Sequence, residues 1–193
     1  MKTRTIQTTE RAFKVFIFTA CLTFVFSLFL AEVSTAKTAK EIDSEVNEAL
    51  NLFAKKVEGA KQFLNTAKGV LIIPNIVKAG LGVGGEYGEG ALRIGGKTVA
   101  YYNLAAGSVG LQIGAQKANL VLVFRQEEAL KKFRGSSGWK AGVDGSVTFV
   151  DTGAGKSLDT MNMNDPIVAF LFGQQGFMAS AIIEGAKFTQ LTR

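Results

Sequence analysis

Gly69–Gly90 reads GVLIIPNIVKAGLGVGGEYGEG. The apolar, β-branched run Gly69–Ile73 meets Pro74, and from Gly80 onward six of eleven residues are glycine. Short β-branched runs bounded by glycine and proline read as strands. Glycine is the residue that lets a backbone take positive φ, bulge, or accept close approach by another chain. A stretch so rich in it shapes backbone rather than presenting side chains. The expectation is a strongly curved sheet.

The same run imitates a nucleotide loop, because Gly80-Leu81-Gly82-Val83-Gly84-Gly85 satisfies G-x-G-x-x-G. That fingerprint works only where a helix begins at the loop and aims its amides at a pyrophosphate. Here Glu86-Tyr87-Gly88-Glu89-Gly90 follows, with two more glycines and two carboxylates that repel phosphate. A second imitation, Gly153-Ala154-Gly155-Lys156-Ser157, lacks the glycine that a P-loop needs five residues before Gly155, where Val150 stands. Met161–Pro166 also breaks the helix that such a loop requires. Both are read as turns.

Working outward, strand-like runs continue at Ala91–Ile94, Thr98–Asn103, Ser108–Ile113, Leu120–Phe124, Gly145–Val150, Ile167–Phe172 and Phe177–Ile183, with Gly95-Gly96 as a hairpin turn. One short helix, Gln126–Arg134, is stopped by Gly135, and Gly135–Gly138 is a surface loop. Upstream, Ile42, Val46, Ala49, Leu50, Phe53, Val57, Ala60 and Leu64 recur at three- and four-residue steps, which places them on one helix face. Acidic residues favour the first half of that helix and basic ones the second, in keeping with the macrodipole. A break is expected near Gly59. The fold class is therefore α+β: an N-terminal amphipathic helix packed on a curved, Gly-rich antiparallel sheet that is able to close toward a barrel.

Composition removes much chemistry. The 193 residues contain no histidine and a single cysteine, Cys21. Ser-His-Asp and Cys-His catalysis, histidine-ligated metals and CxxC redox sites are excluded. Glu86 and Glu89 are the one carboxylate pair to weigh for glycoside hydrolysis, and they read better as surface-turn acids. No enzyme activity and no cofactor are expected.

Residues 1–36 read as an export signal. Lys2, Arg4, Arg11 and Lys14 form a basic start, Val15–Ala31 an apolar core, and Ser34-Thr35-Ala36 a small-residue cleavage site. The core's seventeen residues fall short of the roughly 20 that span a bilayer, although an uncleaved anchor stays open. Cys21 sits mid-core, where a lipoprotein cysteine does not belong. Residues 37–193 are then one exported domain, periplasmic or associated with the cell envelope.

Lys55, Lys56, Lys61, Lys68 and Lys78 form a basic zone from the helix into the glycine run, beside Phe53 and Phe63. Such a zone suits either a solvated helix face or attraction to anionic headgroups, with the phenylalanines at acyl chains. Nucleic acid calls for a denser patch.

The segment AKGVLIIPNIVKAGLGVGGEYGEG resembles the opening signature of the SYLF lipid-binding domain, also described as an actin-binding domain in yeast actin-patch proteins. Ser108–Gln116 with Leu120–Phe124 resembles its central block, and Gln126–Phe133 its short helix. Gly176–Ala186 resembles its closing segment, with Met178 and Ser180 as departures. The likeness covers nearly all of Ala39–Phe188. It implies binding of anionic lipid, phosphoinositides in eukaryotic members, through the basic amphipathic segment Ile42–Leu64, with no catalytic residue and no cofactor. This chain shows no attached SH3 or FYVE module and carries an export signal, so actin and phosphoinositides transfer poorly. Acidic phospholipid, or another amphiphile, is the expected partner. The alternative is an envelope structural or protein-interaction domain whose Gly-rich edge pairs with another chain.

Overall fold

The computed structural model describes residues 36–110, 116–151, 165–173 and 185–193. The chain divides into two units, Met1–Ala36 and Lys37–Arg193, and the fold below is that of the second. Its elements are the helices Ala39–Lys56 (α1) and Ala60–Thr66 (α2), the strands Gly69–Ile94 (β1), Lys97–Gly110 (β2) and Gln116–Phe124 (β3), and the helix Glu127–Gly135 (α3). The strands Trp139–Lys140 (β4), Thr148–Asp151 (β5), Ile167–Phe172 (β6) and Lys187–Leu191 (β7) follow.

Helix α1 starts at a capping box. The Thr38 hydroxyl accepts from the Glu41 amide at 3.3 Å, and the Glu41 carboxylate accepts from the Thr38 amide at 2.7 Å. Two orphan donors are thereby satisfied. Gly59, at φ 72, lets the chain turn out of α1 and into α2. The helical stripe and its break are both where the spacing predicts them.

The described strands form one sheet in the order β4-β7-β2-β1-β3-β6-β5. Neighbours are antiparallel except β5 on β6, which is parallel. The α+β class holds, with a mixed rather than purely antiparallel sheet. The larger difference lies in the glycine run. It is not a loop between two strands but part of one 26-residue strand, β1, whose first half pairs with β3 and second half with β2. Glycine carries the same ladder donors and acceptors as any residue, so a strand rich in it shows no side-chain alternation. The Gly-rich run is thus ladder-forming strand, paired with β2 along one edge from Gly82 to Ile94.

β1 folds over on itself. Ile72 and Gly90 are 18 residues apart, about 60 Å along an extended strand. A Cβ at Gly90 would nonetheless collide with the Ile72 carbonyl, and one at Gly88 would lie 2.7 Å from the Ile73 side chain. The fold-over needs bare backbone at these two positions. On the first half, the ladder shifts register between Ile73 and Ile76, where Pro74 has no donor to offer and Asn75 takes φ 51. Asn75 is held there by Asn119, which accepts its amide at 3.1 Å, and by Glu45 of α1 at 3.3 Å.

The sheet also curls at its edges. β4 and β5 are the outermost strands, yet only Ala141–Val147 joins them. Seven flat strands put the edges about 29 Å apart. The linker is not stretched to that length: Gly142 N–H donates to the Gly145 carbonyl at 3.0 Å in a tight turn. A Cβ at Gly145 would meet both the Trp139 ring and the Ile167 side chain.

The inside of the curl is buried, and the outer face is covered where the helices pack on β1, β3 and β6. Inside the curl, Leu71, Leu92, Tyr102, Leu120, Leu122, Phe124, Ala169 and Phe188 pack around Leu130 and Phe133 of α3 and Trp139 of β4. The Phe133 ring lies 4.8 Å from Tyr102, 4.9 Å from Phe124 and 5.4 Å from Trp139. On the outer face, Ile42, Val46, Ala49 and Phe53 of α1 cover Val70, Ile72, Val121, Val123, Val168 and Phe170. Two short strands escaped the sequence reading. β4 has two residues, and β7 shows only one inward side chain, Phe188. The expected strand at 177–183 and the P-loop imitation at 153–157 lie outside the described residues.

Candidate functional site

The last turn of α1, the Gly59 bend, α2 and the link into β1 carry the basic zone. Lys55, Lys56, Lys61 and Lys68 are all exposed, and none pairs with a carboxylate among the described residues. Their side chains point to water because the opposite helix face is packed on the sheet. Two apolar partners expected beside them are placed differently. Phe53 is fully buried, with its ring 5.0 Å from Phe170 and 5.4 Å from Phe172. It belongs to the outer core and touches no ligand surface. Phe63 is half-buried against Phe170 at 5.2 Å, and the Arg125 guanidinium lies 5.8 Å over its ring.

Lys78 also leaves the site. The bend of β1 carries it inside the curl, where Nζ lies 2.9 Å from Glu86 Oε1, with both residues buried. Spacing along the chain placed it with the other lysines; the bulge at Ile73/Ile76 resets which face the following residues point to.

Glu86 and Glu89 are not surface-turn acids. They are 3% and 6% exposed and stand three residues apart on a strand, hence on opposite faces. Glu86 faces Lys78, while Glu89 Oε1 accepts from Tyr87 Oη at 2.7 Å and from Arg193 at 2.9 Å. Burial, then the Glu89 carboxylate, pushes the Tyr87 phenol above its ordinary pKa. Each carboxylate is consumed by its own cation, and no pair faces a common cleft for hydrolysis. The motif signal for this network was weak, since Arg193 is remote in sequence and the bend is invisible in composition.

A polar clamp keeps α1 on the sheet. Asp43 accepts from Thr98 Oγ1 at 2.8 Å and from Tyr101 Oη at 3.0 Å, and Arg93 stands 3.8 Å from it. Burial and this carboxylate raise the Tyr101 phenol above its ordinary pKa. With its stripe in the outer core and Asp43 locked to β2, α1 presents charge and not apolar surface. Among the described residues no His/Cys/Asp/Glu cluster has metal-holding geometry, and no helix is long and apolar enough to cross a membrane.

Residues 105–192 match the family model described as Ysc84, Las17-binding protein actin regulator. No curated protein matches the chain. The match takes in most of the strand-rich half from the end of β2 to β7, together with α3. The basic zone and β1 lie before it.

Proposed function

Since residues 105–192 make the chain a member of the SYLF family of binding domains, we propose that it is a non-enzymatic, exported domain that binds anionic phospholipid surfaces peripherally through Lys55, Lys56, Lys61 and Lys68. The observation that carries this reading is the set of four exposed, unpaired lysines on α1, α2 and their exit. Each lysine near an anionic membrane surface contributes about 1 kcal/mol. The binding is headgroup attraction with α1 still docked, because the helix's apolar face is already used in the outer core. The basic start and apolar core at residues 2–31 support delivery to the cell envelope. Envelope phospholipid is the ligand class we propose, in place of the actin regulators of the family's description.

Co-sedimentation of the purified protein with neutral and anionic vesicles tests this. Binding only to anionic vesicles, weakened as salt shortens the roughly 10 Å screening length at 0.1 M, is the expected result. Lys55→Glu with Lys56→Glu should weaken it by at least about 2 kcal/mol, roughly thirtyfold, with an unchanged circular-dichroism spectrum. Undiminished binding by that variant contradicts the site. Salt-insensitive binding contradicts the mechanism.

A further inference from the structure

A second cationic surface lies on the other side of the inner core. On β4 and β7, Trp139 and Phe188 are paired neighbours that point inward. Strand alternation therefore turns the next pair, Lys140 and Lys187, outward, and both are exposed. Residues directly opposite on antiparallel strands hold their Cβ atoms about 5 Å apart, and like charges there are destabilising. Neither lysine has a carboxylate side-chain partner among the described residues. The Lys187 stem lies across Gly138, where a side chain would displace it. Exposed Lys132 and Arg134 in the last turn of α3 add charge a few residues before β4. Asp144 has its carboxylate on the Lys140 amide at 2.7 Å.

The geometry relates this pair to the first basic zone. β3 and β6 turn Leu122 and Ala169 into the same inner core as Trp139 and Phe188, and they turn Val121, Val123 and Phe170 outward beneath α1 and α2. The helix lysines thus face away from the β3–β6 wall. Lys140 and Lys187 face away from the β4–β7 wall, across the core. We infer that the domain carries two anion-binding faces directed apart and bridges two anionic membranes. This rests on the proposed function for its first face, and the like-charge pair supplies the second.

Light scattering of neutral and anionic vesicles mixed with the purified protein, run beside co-sedimentation, tests the bridge. Clustering of anionic vesicles alone is expected, with dispersal at excess protein once each membrane is coated separately. Lys140→Glu with Lys187→Glu should co-sediment as the parent protein does and lose clustering; Lys140→Gln with Lys187→Gln should show the same loss without added repulsion. Lys55→Glu with Lys56→Glu should lose clustering and weaken co-sedimentation, with the remaining binding carried by Lys140 and Lys187. Vesicles that bind protein but stay single overturn the bridge and leave the first face standing, as does undiminished clustering by the Lys140/Lys187 variants. Clusters that persist at excess protein identify self-association and also overturn it. A protein that sediments with no vesicle removes the first face and the bridge together.

Discussion

Lys78 and Glu86 sit eight positions apart on one strand and still meet at 2.9 Å. That contact reports the fold-over of β1 at the level of single side chains. Removing one member of a buried pair strands the other, at about 3–5 kcal/mol, whereas replacing both by apolar residues is often near neutral. Lys78→Met or Glu86→Leu alone should therefore lower urea stability by that amount, and the double variant should recover most of it. Equal losses in all three would show the pair to be loosely solvated. Gly90→Ala is the companion test, since its methyl meets the Ile72 carbonyl; a loss of about 1–3 kcal/mol is expected for overpacking. Neither feature was legible beforehand. An acidic residue in a glycine run has the composition of a turn, and its burial arises from the bend and not from its neighbours in sequence.

Among the elements, α1 was the most legible and β1 the least. Three- and four-residue spacing of Ile42, Val46, Ala49 and Phe53 identified the helix face, and Gly59 marked its end. What the same spacing left open was whether a membrane or the protein's own sheet covers that face. Phe53, ringed by Phe170 and Phe172, decides it for the sheet. Phe53→Ala should cost about 3–5 kcal/mol as a core truncation, read by thermal or urea unfolding; a loss under about 1 kcal/mol would mean that α1 contributes little to the core. The Glu41 cap gives a pH signature. Hydrogen bonds from the Thr38 backbone and hydroxyl hold this carboxyl below its ordinary pKa. A depressed folded value means that its contribution is present above the unfolded pKa and is lost as pH falls through the folded one. Glu41→Gln, which keeps the cap hydrogen bond, should flatten the decline of melting temperature on the acid side of about pH 4.5. An unchanged acid limb would show that the box carries no charge-dependent stability.

At the scale of the whole molecule, the Lys37–Arg193 unit is a curled sheet filled inside and covered by α1 over β1, β3 and β6, with its unpaired lysines outside. The single tryptophan, Trp139, is buried in the inner core, so its emission should not shift when vesicles bind. A blue shift on binding would report rearrangement of that core. The same filling sets the central claim: anionic surfaces are met by exposed lysines while α1 stays on the sheet. Hydrogen exchange of the α1 amides, measured with and without saturating anionic vesicles, tests that most directly. The account predicts that Ile42–Phe53 remain as protected in the bound state as in the free one. Faster exchange across α1, joined by exposure of β3 and β6, would mean that the helix leaves the sheet and that its apolar stripe is the lipid contact.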